Sequence, residues 1–326
     1  MKRAIITGIL GQDGSYLAEY LLDQGYEVYG VYRRISTGEN MENILNILES
    51  DRNNFHLLAS DICDHVSMTN MIKDLQPHEF YNLAAMSHVG HSFEIPVETF
   101  RVDAESVIAQ LHAISRFSPD TKFYQASTSE LFGGLGCPDT GFDESSTINP
   151  RSPYAVAKAA SFYAVRNYRD RKGSIYAVNG ILFNHSSPRR GHDFATRKIT
   201  RGIARIKLGK QETLKMGNLA ACRDEGHAKD YVRAMHMMLQ QDKPDDFCVA
   251  TGVTTSIEDM FRYVAQLAGL TLEDCYEKDE RFMRPSDVPI LVGNPTKITT
   301  KLGWKPEYTW QSLLEEMYFN DLELES

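Results

Sequence analysis

No run of apolar residues in this 326-residue chain approaches the ~18 that a membrane-spanning helix needs, and mean hydropathy is −0.37, so no transmembrane segment is expected. The start, MKRAIITG, passes from two basic residues directly into a strand-like run without a signal-peptide cleavage pattern, which predicts a cytoplasmic protein. Cysteine is scarce. Cys63, Cys137, Cys222, Cys248 and Cys275 are odd in number, far apart and never in a CxxC pattern. That excludes a disulfide framework and a zinc site, and no metal is expected. An overall basic excess is missing too: 35 Lys and Arg stand against 44 Asp and Glu, a net charge of −9 with no nucleic-acid footprint.

The charge is unevenly spread. After Lys305 come Glu307, Glu315, Glu316, Asp321, Glu323 and Glu325 with no basic residue, whereas Arg189 to Lys210 holds eight Lys and Arg against Asp193. Such a basic island on an acidic chain predicts an anionic partner.

Short apolar runs alternate with helical periods through the first half: AIIT, SYLAEYLLDQG, EVYGVY, FHLLAS, VSMTNMIKDL, EFYNLAA, a long period from Phe93 to Phe117, KFYQAS and IYAVNGILF. That rhythm predicts an α/β fold with a doubly wound, Rossmann-like parallel sheet over residues 1–183. From about Asn184 the pieces become too few and irregular for a second open sheet. They predict a smaller C-terminal substrate-binding domain over 184–326, with segments that return to the first domain.

In TGILGQDGSYL, Gly8, Gly11 and Gly14 follow the first strand and open a helix, the context in which a glycine pattern cradles a dinucleotide pyrophosphate. The second strand ends in Arg33 and Arg34 where an NAD site usually presents a carboxylate to the ribose. Two guanidiniums suit a 2′-phosphate, so the expected cofactor is NADP.

Tyr154 and Lys158 in SPYAVAK are four apart in a helical segment and share one face, about 6 Å apart. The ammonium is expected to lower the phenol pKa toward that of a useful base. In STSELFG, Thr128, Ser129 and Glu130 follow the strand KFYQA, at the strand end where open α/β sheets hold ligands. Hydride transfer alone does not need a carboxylate there, so Glu130 is a candidate to move a second proton.

TGxxGxxG, the NLAA segment Asn82 to Ala85, STSE and YxxxK, in this order, resemble the extended short-chain dehydrogenase/reductases that modify nucleotide-sugars. GILGQDGSYLAEYLL, FYQASTSELFG, PRSPYAVAK, NGILFNHSSPRRG, TRKITR, RDEGHAKDYV, ATGVTTS, RPSDV and KLGWKP resemble, more closely, the GDP-mannose 4,6-dehydratase family from Lys2 to about Pro306. The resemblance implies that Thr128, Glu130 and Tyr154 are catalytic, with Lys158 supporting Tyr154. It implies NADP contacts at Gly8, Gly11, Gln12, Asp13, Gly14, Asp61, Ile62, Leu83, Ala84, Ala85, Ser87, Lys158, His185 and Arg190. Ser87, Asn184, Lys198, Arg223, Arg284 and Asp287 are implied for a GDP-sugar. A homo-oligomer, dimer or tetramer, is also implied.

The chain departs from the family pattern at several positions. Asp287 stands for a usual glutamate, Glu225 for tryptophan and Met86 for glutamine, and STGENMENI lacks the run that in many members joins subunits. The same dehydration on a related GDP-sugar such as a GDP-manno-heptose therefore stays open. So does a nucleotide-sugar C4 reductase or epimerase, which would not need Glu130. A non-enzymatic dinucleotide sensor would need neither catalytic set.

Overall fold

The computed structural model describes residues 1–34, 41–50, 52–282 and 288–326. Among them, seven parallel strands form one sheet. Six lie in the first half: β1 (Arg3–Thr7), β2 (Glu27–Tyr32), β3 (Phe55–Ala59), β4 (Glu79–Asn82), β5 (Lys122–Thr128) and β6 (Ala177–Leu182). The seventh, Phe247–Val249, comes from the second half and adds to the free edge of β6, giving the order 247–249, β6, β5, β4, β1, β2, β3. β1 lies between β2 and β4, with Ile5 opposite Tyr29 on one side and Phe80 on the other. Successive crossovers turn in opposite directions at that point and leave a crevice at the carboxyl ends of the strands.

Helices cover both faces, as buried all-parallel strands require. α1 (Gln12–Asp23) follows β1. It is succeeded by α2 (Leu45–Glu49), α3 (His65–Leu75), α4 (Val89–Ser92), α5 (Pro96–Phe100), α6 (Ser106–Phe117), α7 (Pro153–Asp170), α8 (Ala195–Lys207), α9 (Ala228–Leu239) and α10 (Ile257–Leu267). α1 and α9 bury Leu17, Leu21, Tyr231, Met235 and Met238 with Tyr81 and Tyr124 of the sheet. On the other face α3, α6 and α7 bury Ile72, Leu111 and Val165 with Ile5, Phe80 and Phe123. A separate core joins α8, α10 and the C-terminal helix Trp310–Glu325 through Ile199, Ile203, Phe261, Val264, Leu314 and Met317. The helical rhythm of the sequence does not reveal that α9 and 247–249 belong to the first core, because a single crossover reads alike wherever it docks.

The long period from Phe93 to Phe117 is not one helix. α5 passes into α6 through a π-helical turn at Arg101–Glu105. There Val102, Asp103 and Ala104 are buried in succession, a wider arc than an α-helix presents to one neighbour.

Candidate active site

The crevice holds a cavity of about 540 Å³. At its floor Gly8 has φ +71°, and a Cβ there would lie 2.9 Å from Ala84 N. A Cβ on Gly14 would lie 2.3 Å from Gly8 O. These glycines let the β1–α1 turn close against the loop after β4. α1 opens on Gly11 with no side-chain cap, so the amide end of a twelve-residue helix faces the cavity beside Gln12 and Asp13.

Asp13 is held from across the crevice. His185 approaches Asp13 Oδ2 at 2.8 Å through Nε2 and Phe183 O at 2.8 Å through Nδ1. Burial pushes the Asp13 carboxyl up, but the His185 ring and nearby Arg190 outweigh it and hold it below the usual range. The Arg190 guanidinium stacks on Phe194 at 3.7 Å, and its buried Nε has no hydrogen-bond partner among the described residues. An uncapped helix start, close backbone and a half-buried arginine whose Nε has bonding capacity to spare suit a dinucleotide pyrophosphate. The residues present therefore fit the cofactor implied by the sequence.

Asp61 and Ile62 line the cavity beyond β3, Leu83, Ala84, Ala85 and Ser87 beyond β4, and Asn184, His185, Arg190 and Arg223 opposite. Of the two arginines after β2, Arg33 lines it and Arg34 is exposed outside it. Lys198 is not on the cavity wall; its ammonium rests over the Phe282 ring at 3.3 Å. Arg284 and Asp287 lie outside the described residues.

Four of the eight cations of the basic island pair with carboxylates. Arg189 pairs with Glu19 at 2.6 Å, Arg197 with Asp321 at 2.6 Å, and Arg201 and Arg205 with Glu325 at 2.5 and 2.7 Å. Lys210 bonds the Glu325 carbonyl. The acidic tail and the basic stretch are thus two faces of one helix contact. Composition could not show this, because the partners are more than a hundred residues apart.

Thr128, Glu130, Tyr154 and Lys158 come together on the cavity wall. Thr128 ends β5, and its hydroxyl accepts the Glu130 N–H at 3.2 Å, so one cap fixes the turn that presents Glu130. α7 starts on Ser152, whose hydroxyl accepts from Ala155 N at 3.1 Å, followed by Pro153, which needs no N–H partner. Ser92 Oγ accepts the Tyr154 N–H at 3.3 Å. Lys158 Nζ sits 5.8 Å from the Tyr154 ring centroid and donates to Ala126 O at 3.1 Å.

The charge balance at Tyr154 departs from the sequence expectation. Burial pushes its phenol well up, and the Asp103 and Glu130 carboxylates add to the rise against the Thr128 hydrogen bond and Arg190. Burial also lowers Lys158, against Asp103. The spacing showed the ammonium but neither the desolvation nor the carboxylate behind it. Sequence reasoning missed Asp103, which shares the period from Phe93 to Phe117 with Glu94, Glu98 and Glu105 and is set apart from them by its burial.

This is the fold of the extended short-chain dehydrogenase/reductases. A UDP-glucuronic acid 4-epimerase from Bacillus cereus, solved with UDP-glucuronic acid and NAD, matches with a TM-score of 0.86 at 21% identity, covering 99% of each chain. A dTDP-glucose 4,6-dehydratase from Streptomyces venezuelae, solved with NAD, also gives 0.86, at 19% identity over 98% of this chain and 97% of that one. A family model described as GDP-mannose 4,6 dehydratase matches residues 5–317. GDP-mannose 4,6-dehydratases are 45% identical in Vibrio cholerae, over 99% of this chain and 94% of that protein, and 42% identical in Homo sapiens, over 98% and 91%. The chain belongs to the GDP-mannose 4,6-dehydratase family.

Proposed function

We propose that this enzyme converts GDP-mannose to GDP-4-keto-6-deoxy-mannose with loss of one water. The observation that carries the reading is the convergence of a phenol, an ammonium, a hydroxyl and a second carboxylate on one wall of a dinucleotide-sized cavity. Tyr154 takes the proton of the 4-OH while the Thr128 hydroxyl holds the oxygen at C4, and Lys158 supports the phenolate. The 4-ketone acidifies C5–H. Glu130 removes that proton and assists departure of the 6-OH as water. The β1–α1 turn, Arg33, Lys158, His185 and Arg190 would hold a nicotinamide cofactor, which would supply the acceptor for the hydride lost at C4 and its donor to C6. Residues 184–326 supply mainly the GDP-sugar side, through Asn184 and Arg223, while α9 and 247–249 return to the nucleotide half. Purified protein supplied with GDP-mannose and no reductant should give a product lighter by one water. Product of unchanged mass, epimerised at C4, or product lighter by only two hydrogens, oxidised at C4, would favour the epimerase or reductase reading.

NADP is the form we assign, on Arg33. Arg33→Ala should weaken NADP at least about tenfold more than NAD, since a charged hydrogen bond to phosphate contributes ~1.5–3 kcal/mol. Equal losses in a binding titration would contradict the assignment.

Arg223 is 7% exposed on the cavity wall and is assigned to the diphosphate. Added salt should raise KM more than it lowers kcat, and Arg223→Ala should raise KM and flatten that dependence. An unaltered salt response would remove Arg223 from the binding site.

A homo-oligomer is the assembly we infer. Val97 and Phe100 on α5, Ile108 on α6, and Val156 and Tyr163 on α7 are exposed on helices that pack together.

A further inference from the structure

Asp103 sits in the π-helical turn between α5 and α6, 1% exposed, in a layer that α7 covers. Its Oδ1 accepts the Met86 N–H at 2.9 Å, and its Oδ2 has no hydrogen-bond partner among the described residues. Lys158, 2% exposed, spends one donor on Ala126 O. A buried ammonium without a counter-charge is costly, and so is a buried carboxylate. The two interact electrostatically, and Asp103 acts on Tyr154 as well. The charges that act on the phenol are those of Asp103, Glu130 and Arg190, and the charge that acts on the ammonium is that of Asp103.

We propose that Asp103 is a positioning residue of the active site, the counter-charge for the buried Lys158 ammonium beneath Tyr154. The π-turn serves this role by bringing an acid to the buried side of a helix that otherwise buries apolar and uncharged polar residues, Thr99, Ser106 and Gln110 among them. Two consequences share one sign. Burial lowers Lys158, and the Asp103 charge opposes that, so Lys158 keeps its proton to higher pH. The same charge raises the phenol, so Tyr154 also keeps its proton to higher pH. Asp103 thereby holds the proton on both Lys158 and Tyr154.

The proposal rests on the dehydratase reading, and Asp103→Asn tests it. The amide keeps the oxygen that accepts from Met86 and loses only the charge. Both limbs of the kcat/KM profile should move toward acid by about one pH unit, the scale of a nearby charge in a buried site. Asp103→Glu should restore the wild-type profile. If the Asn variant does not fold, Asp103→Ser removes the same charge with a smaller side chain and should give the same shift. In substrate-free protein, the 13Cε resonance of Lys158 should titrate at lower pH in the neutral variant. That readout needs no substrate: a wild-type protein inert toward GDP-mannose would overturn the functional reading and leave Asp103 to be decided by the titration. Superimposable profiles and an unmoved Lys158 titration would overturn the proposal, and so would a loss of activity with no shift.

Discussion

Glu130→Gln is expected to slow formation of the 4-keto-6-deoxy product by about 10²–10⁴, the usual loss when general acid–base help is removed. The substitution preserves size and the backbone cap on Thr128 Oγ1, because that bond comes from the Glu130 N–H and not from its side chain. Oxidation at C4 requires Tyr154 and Lys158, which the variant retains. The variant should therefore stall after the first half of the reaction, with a 4-keto hexose bound and the near-ultraviolet absorbance of reduced nicotinamide persisting in the protein. Product at the wild-type rate would reduce Glu130 to a partner of its own turn. Removal of the C5 proton would then belong to another group.

Tyr154→Phe should cost a comparable factor at the opposite end of the sequence of steps. It removes only the phenolic oxygen from a side chain that is 8% exposed, so packing is retained and loss of the base dominates. No reduced-nicotinamide signal should build up, because the 4-OH proton has no acceptor. The contrast between the two variants, one stalled with reduced cofactor and one silent, separates the two proton transfers. Accumulation of that signal in the Phe variant would assign the first proton transfer to another group.

The strands of the first half were legible because buried parallel strands read as short apolar runs between helical periods. The glycine turn was legible for a related reason: Gly8 and Gly14 stand where a Cβ would meet backbone at 2.9 Å or less. Tyr154 and Lys158 were legible from helix geometry alone. Long-range pairing was not. Nothing near Phe247 in the chain announces that it extends β6, and nothing near Arg197 announces Asp321. The sign of the effect at Tyr154 was hidden for the same reason, since it depends on burial and on Asp103, some fifty residues upstream. The anionic-partner expectation for Arg189 to Lys210 shrinks to Arg190, Lys198 and Lys207, of which Arg190 lines the cavity.

The most direct test of the account follows one hydrogen. GDP-mannose carrying deuterium at C4, turned over in ordinary water without added reductant, should give a product one water lighter that carries the deuterium at C6 and a solvent hydrogen at C5. Loss of the C4 label to solvent, or a label still at C4 in a product that has kept its 6-OH, would contradict an internal redox dehydration by Tyr154 and Glu130.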